Sequence, residues 1–162
     1  MLLCTVCIAQ TKSVEIIHLK GSTMDFEYRK ITEKKSEDNF IRIKPVDFDQ
    51  ISYPFHGGIY YSPTKIEGNV QDAADEVLKK YPNEKLPEKL YTQIYFTLQK
   101  ETVSVDYSYY SRDLNLISPY FIEDLTKAIL KNQKLIEIKK ISDAQPEIPI
   151  KGISIYESVK LR

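Results

Sequence analysis

The sequence predicts an α+β fold: an antiparallel sheet with two helices packed on one face, plus N-terminal β-strands. Three observations carry that expectation. Apolar residues recur at helical spacing in two segments, 69–81 and 118–131. The stretch between them holds two runs of alternating apolar and polar residues, which is the pattern of a β-hairpin. A further alternating run, Gly152–Leu161, follows the second helix, so helix, hairpin, helix and strand come in the order of a two-layer fold.

The composition fits an ordinary folded domain. Of 162 residues, 42% are hydrophobic and 28% charged, with 23 basic and 23 acidic side chains in balance. That balance excludes whole-chain disorder, which needs low hydrophobicity and high net charge. A pI near 6.7 argues against a strongly basic nucleic-acid binder. No run approaches the roughly 20 apolar residues of a membrane span. At this length a domain buries about 68–70% of its unfolded surface, so its core needs neither metal nor disulfide.

Residues 1–10 are apolar and uncharged, and Thr11-Lys12-Ser13 turns polar abruptly. Cys7-Ile8-Ala9 supplies a small-x-small pattern, so the segment reads as a truncated signal peptide cleaved near Ala9 or Gln10. The basic start of such a signal is missing, and a buried first strand is the alternative. Export implies a periplasmic or secreted protein. Both cysteines, Cys4 and Cys7, fall in this segment. Their spacing alone, with no second ligand pair, makes neither a zinc site nor a redox motif.

Residues 13–62 read as an N-terminal β region and loop, and 63–162 as an α-ββ-α-β unit, the two forming one compact domain. Val14–Leu19 is the first strand and Gly21-Ser22 the turn after it. Met24–Arg29 alternates cleanly, with Met24, Phe26 and Tyr28 on the buried side. The polar run 34–39 connects to a strand over Phe40–Lys44. From Pro45 to Gly68, prolines and glycines predict a long loop with a short strand at Ile59–Tyr61.

Asn69 is a natural N-cap for a helix over Asn69–Tyr81, and Pro82 ends it. Val70, Ala73, Ala74, Val77, Leu78 and Tyr81 form its apolar stripe. Tyr91–Tyr110 is a hairpin with its turn at Lys100-Glu101. That turn pairs Leu98 with Val103, Phe96 with Val105 and Ile94 with Tyr107 on one apolar face. The other face carries Tyr91 against Tyr110 and Tyr95 against Asp106, with Gln93 and Ser108 between. Ser118 caps the second helix, Ser118–Lys131, and Pro119 sits at its first position. Phe121, Ile122, Leu125, Ala128 and Ile129 form its stripe. Leu135–Ile141 is a strand or extended arm, and Gly152–Leu161 closes the sheet with Ile153, Ile155 and Val159 inward.

No catalytic signature is present. His18 lies in a strand and suits a structural role. His56, in Tyr53-Pro-Phe-His-Gly-Gly58, resembles part of an oxyanion-hole loop, yet no Gly-x-Ser-x-Gly elbow accompanies it. Asp47 and Asp49 are too few oxygens for a hard cation. Neither a phosphate-cradling loop nor a dinucleotide fingerprint occurs. The sequence therefore calls for no metal and no cofactor.

The tyrosines are more telling: 12 Tyr and no Trp. Tyrosine gives large contact area at low entropic cost and is enriched at interfaces. It is also a good strand residue. Tyr60, Tyr61, Tyr91, Gln93, Tyr95, Asp106 and Tyr110 are the candidate contacts with another protein, exported or in the outer membrane. Single-stranded nucleic acid is not expected, since it needs an electropositive groove.

The loop Tyr53–Gly58, the helix end Val77-Leu-Lys-Lys-Tyr-Pro82 and the strand Tyr91–Leu98 together resemble the C-terminal domain of TonB energy transducers. Phe55, Gly57, Gly58, Tyr81 and Pro82 match that family's loop and helix end. The likeness covers about residues 53–161 and leaves out 13–44. His56 stands where the family has proline, about ten extra residues follow Gly58, and the hairpin turn lacks glycine. What the resemblance implies is a periplasmic binding module whose edge strand accepts a partner's strand. The rival readings are an inhibitor of an exported toxin and an enzyme whose site assembles only in three dimensions.

Overall fold

The computed structural model describes residues 12–33, 39–47, 61–112, 115–143 and 151–161. The expectations for Cys4, Cys7, Asp49, the loop 53–58 with His56, and Tyr60 fall outside them.

Among the described residues ten elements follow in order: β1 (Lys12–Lys20), β2 (Asp25–Glu33), β3 (Asn39–Pro45), β4 (Tyr61–Glu67), α1 (Val70–Leu78), β5 (Lys89–Thr97), β6 (Thr102–Ser111), α2 (Pro119–Asn132), β7 (Lys134–Lys140) and β8 (Gly152–Lys160). Six strands form one antiparallel sheet in the order β1-β2-β3-β6-β5-β8. Both helices lie on one of its faces. α1 packs on β8, α2 packs on β6 and reaches β1, and the two helices pack on each other. The α+β expectation therefore holds. The N-terminal strands enter the same sheet, because β3 pairs with β6 from Asn39↔Ser111 to Ile43↔Tyr107.

The core lies between this face and the helices. Phe26 and Tyr28 of β2, Ile41 and Ile43 of β3, and Ile94 and Phe96 of β5 are all fully buried there. Val70, Ala73, Ala74 and Val77 of α1 meet them, with Phe121, Ile122, Leu125 and Ile129 of α2. Each Val, Leu, Ile or Phe among them contributes about 1.5–3 kcal/mol by leaving water.

Four local expectations are corrected. The helix over 69–81 stops at Leu78; Asn69 does cap it, accepting from the Gln71 N–H at 2.8 Å. Pro82 disfavours helical backbone at Tyr81, and the chain leaves by tight turns from Lys80 N–H to Val77 C=O and from Tyr81 N–H to Leu78 C=O. At α2 the Ser118 side chain makes no capping bond. The Ser118 backbone N–H instead donates to Glu84 Oε1 at 2.9 Å. The hairpin turn is Leu98–Lys100, with Lys100 in the left-handed region at φ 73°. Paired numbers sum to 199, as in Ile94↔Val105 and Gln93↔Asp106. A slip of two residues keeps the expected faces from Tyr91 to Tyr95 and from Ser104 to Ser108; beyond the bulge between Tyr95 and Phe96, Phe96 meets Thr102 in place of the expected Val105.

The fourth correction concerns the long loop and the arm. Residues 61–67 form β4, which pairs with β7 in a separate two-stranded ribbon. Register shifts between Pro63 and Ile66 accommodate the proline, which lacks a ladder donor.

Buried polar groups tie distant parts together. Glu123 of α2 looks like a solvent position between Ile122 and Asp124, yet its side chain is 2% exposed. Its carboxylate receives the backbone N–H groups of Thr23 at 3.0 Å and Met24 at 3.3 Å, the Thr23 hydroxyl at 2.7 Å, and Lys127. The Ser22 N–H donates to it as well. Burial alone would raise its pKa; the bonds from Lys127, Thr23 and Met24 outweigh burial and hold it down at about 2. The turn between β1 and β2 is thereby clamped to α2.

Candidate functional site

The pleat divides the tyrosines into two sets. On the helix side, Tyr28 donates to the Ile117 carbonyl at 2.8 Å. The Tyr107 hydroxyl meets Thr126 Oγ1 at 2.8 Å, and Tyr109 donates to the Asn115 carbonyl at 3.1 Å. Burial pushes the Tyr28 and Tyr107 phenols far above their ordinary value and Tyr109 up to about 12. These three are structural. They pin the segment before α2 and α2 itself to the sheet.

The other set points away from the helices. Tyr91, Gln93 and Tyr95 of β5 share that face with Ser104, Asp106, Ser108 and Tyr110 of β6. The corrected register sets Tyr91 opposite Ser108, Gln93 opposite Asp106 and Tyr95 opposite Ser104. Five of the expected contact residues thus share one face. Tyr61 does not join them. It opens β4, opposite Lys140, and packs half-buried against the core.

The neighbouring strands add residues that the hairpin pattern did not announce. β3 contributes Phe40, Arg42 and Lys44, and β8 contributes Ser154, Tyr156 and Ser158. Both strands alternate in the sequence, so parity was legible. What was not legible is that they flank this hairpin.

The face is graded. Tyr95, Asp106, Lys44 and Ser104 are 3–5% exposed. Tyr91, Tyr110 and Tyr156 are 39%, 58% and 74% exposed. Tyr95 and Asp106 therefore lie beneath the surface and support it, while Tyr91 and Tyr110 form it. Arg42 sits at the boundary. Its Nε donates to Asp106 Oδ2 at 2.9 Å, and its Nη2 bonds the same oxygen. The Tyr95 hydroxyl also hydrogen-bonds Asp106 and Arg42. Burial pushes the Asp106 carboxyl above its ordinary value, and Arg42, Tyr95 and Lys44 offset only part of that. Burial also pushes up the Tyr95 phenol, and the Asp106 charge adds to it. Farther along, Lys44 lies 3.7 Å from Glu27 Oε1, which Arg29 also contacts.

Two cavities open here. The smaller, about 220 Å³, has Arg42 and Asp106 among its lining, with Phe40, Tyr91 and Tyr156 as aromatic walls. The larger, about 460 Å³, is lined in part by Lys85, Leu86, Tyr110 and Arg112. The Phe40 and Tyr110 rings, with centroids 5.3 Å apart, form the ridge between the two. Lys89 lies over the Tyr91 ring at 4.9 Å.

His18 is exposed on β1, on the same face and opposite Glu27. Asp47 is exposed in the turn after β3. Among the described residues no group of three His, Cys, Asp or Glu side chains could hold a metal, and no helix is long and apolar enough to cross a membrane.

No family model, curated protein or solved structure matches the chain.

Proposed function

We propose that the protein is an exported, non-catalytic binding module that takes an extended segment of a partner protein along the outer edge of β8. The carrying observation is the direction of that strand's backbone groups. The Lys160 N–H donates to Gln71 Oε1, and the Lys160 carbonyl accepts from Gln71 Nε2, both at 2.9 Å. Lys160 therefore turns outward. The Leu161 N–H donates to the Glu88 carbonyl, so Leu161 turns inward. By alternation Ser154, Tyr156 and Ser158 also present N–H and C=O outward, and among the described residues no strand pairs with that side.

An edge whose outward groups at Ser154, Tyr156 and Ser158 meet no strand among the described residues is a template for strand addition. The Gln71 amide already pairs with one end of it as a neighbouring strand would. The likeness of the sequence to TonB C-terminal domains, whose partner strand adds at an edge, motivates the same reading. Export rests on the apolar segment 1–10 and is tested by sequencing the N-terminus of the purified mature protein.

A photocrosslinking residue at position 156, introduced into the full chain in cells, tests the edge. The expected result is one discrete protein adduct that Ser158→Pro abolishes. Proline there removes an outward N–H and no bond to β5, so the melting temperature stays within about 2 °C. An adduct insensitive to Ser158→Pro, or no adduct at all, rejects the reading.

A further inference from the structure

We propose that the two cavities beside the Phe40–Tyr110 ridge dock an acidic, aromatic-containing segment of a partner protein. The inference rests on the reading of the chain as a protein-binding module and adds the chemistry of what it binds.

Charge placement is the first argument. The chain is neutral overall, but its charges are not evenly spread. The sheet face away from the helices carries Lys20, Arg29, Arg42, Lys44, Lys89 and Lys160 against Asp25, Glu27 and Asp106. Glu27 and Asp106 already contact Arg29, Lys44 and Arg42, and Asp25 stands opposite Lys20, which leaves Lys89 and Lys160 facing each other rather than an acid. Among the described residues, the lining of the larger cavity holds Lys85 and Arg112 and no carboxylate. An approaching anionic segment meets cations first, which steers encounter and disfavours basic partners.

Shape is the second argument. Tyr91, Tyr110 and Tyr156 are exposed rings held on sheet strands, so little entropy is lost when they are covered. The surface runs across β3, β6, β5 and β8. Three strand spacings of about 4.8 Å give a span of roughly 14 Å, the length of about four extended residues. The smaller cavity lies along that line, and the larger opens beside the end of β6, next to Tyr110 and the 85–87 segment. A short segment with carboxylates beside Lys85 and Lys89, and a ring against Tyr110, satisfies charge and shape together.

Single-stranded nucleic acid also stacks on aromatic platforms. It needs a cationic track that follows its backbone. Here the row of Tyr91 holds that one ring, with Ser108 and Ser158 on either side of it.

The test uses the full chain and a fluorescent glutamate–tyrosine copolymer, read by anisotropy at low and moderate salt. Polyglutamate and a single-stranded oligo-dT run in parallel. The copolymer is expected to bind more tightly than polyglutamate and to weaken as salt rises. The double variant Lys85→Glu, Lys89→Glu should lose about tenfold or more in affinity, and Tyr110→Ala several-fold. Should the double variant fail to fold, Lys85→Glu alone and Tyr110→Ala decide. The inference is overturned if the copolymer does not bind, if it binds all variants equally, or if oligo-dT binds more tightly and responds to the same substitutions. A crosslink at position 156 that Ser158→Pro still abolishes, beside a copolymer blind to the charge reversals, overturns the acidic partner and leaves the edge reading standing.

Discussion

Gly21 and Glu123 approach so closely that no side chain fits between them. A Cβ on Gly21 would stand 2.1 Å from Glu123 Oε2 and 3.2 Å from the Met24 carbonyl. The far end of a glutamate is normally free to move aside. This one is fixed by donors from Ser22, Thr23, Met24 and Lys127. Gly21→Ala is therefore expected to destabilise by about 1–3 kcal/mol, the cost of overpacking a constrained site. Chemical denaturation checks it. A midpoint unchanged from the parent protein rejects the clamp.

The same carboxylate sets a pH dependence. In the unfolded chain a glutamate takes up its proton near pH 4.5, whereas in the folded protein Glu123 holds it off until about 2. Between those values the unfolded state binds more protons, so stability falls as pH falls. The contribution, on the order of 3 kcal/mol, is fully present above about pH 4.5 and gone near pH 2. Asp106 works the other way: its raised pKa costs stability at neutral pH, and that cost disappears in acid. The two are separated by comparing the parent with Glu123→Gln. Their stability gap should be wide at pH 7 and shrink steadily below pH 4.5. A constant gap refutes the assignment.

Gly68 is a harder constraint than Gly21. Its φ is +93°, and a Cβ there would meet the backbone carbonyl of Asn132 at 2.1 Å. Backbone at the end of a helix cannot swing aside as a side chain can. Gly68→Ala is expected to cost more than Gly21→Ala, above about 2 kcal/mol, since it combines a clash with left-handed strain. Equal melting temperatures for the two variants contradict this ranking.

Gln133 is 1% exposed, and among the described residues neither side-chain amide atom has a hydrogen-bond partner. Its backbone is well used: its N–H closes α2 onto Ile129, and its carbonyl accepts from Thr102. Only the side chain is unsatisfied, at a desolvation cost of about 1–3 kcal/mol. Gln133→Met keeps the volume and removes the polar atoms. It should raise the melting temperature by several degrees. A lower one shows that the amide is satisfied in solution.

The tyrosines divide in a measurable way. Tyr28→Phe leaves the Ile117 carbonyl without its donor and should cost about 1–2 kcal/mol. Tyr110→Ala, at a ring more than half exposed, should change stability by less than about 0.5 kcal/mol. Tyr95→Phe should behave like Tyr28→Phe, because it removes the hydroxyl that meets Asp106. Thermal melts of the three variants give the ranking. If Tyr110→Ala proves as costly as Tyr28→Phe, its ring is structural.

Much of the fold was legible wherever the pattern was local. Asn69 and Pro119 mark the helix starts, and alternation assigned the faces of β5 and β6 up to the bulge at Phe96, although the turn lay one residue off centre. A register slip of two kept those faces, because the side-chain period is two. β4 was hidden by Pro63 and Gly68, which read as loop punctuation; its pairing with β7 depends on a bulge that no pattern announces. The burial of Glu123 was invisible because its partners lie about a hundred positions away. The candidate site was half legible. Tyr91, Gln93, Tyr95, Asp106 and Tyr110 were placed on one face, but Arg42, Phe40 and Tyr156 come from strands whose neighbours only the tertiary fold decides.

The pairing of β3 with β6 also bears on how the chain assembles. Asn39 meets Ser111 although the two lie 72 positions apart, with β4, α1 and β5 between them in sequence. During synthesis β1, β2 and β3 leave the ribosome well before β6 exists. Until then the far side of β3 stays unpaired, and Ile41 and Ile43, destined for the core, stand uncovered. Closing so long a loop before any contact rewards it slows folding. The meander β1–β3 is thus the part most exposed to self-association in a nascent or heat-stressed chain, and a chaperone that shields β-edges would find its target there first.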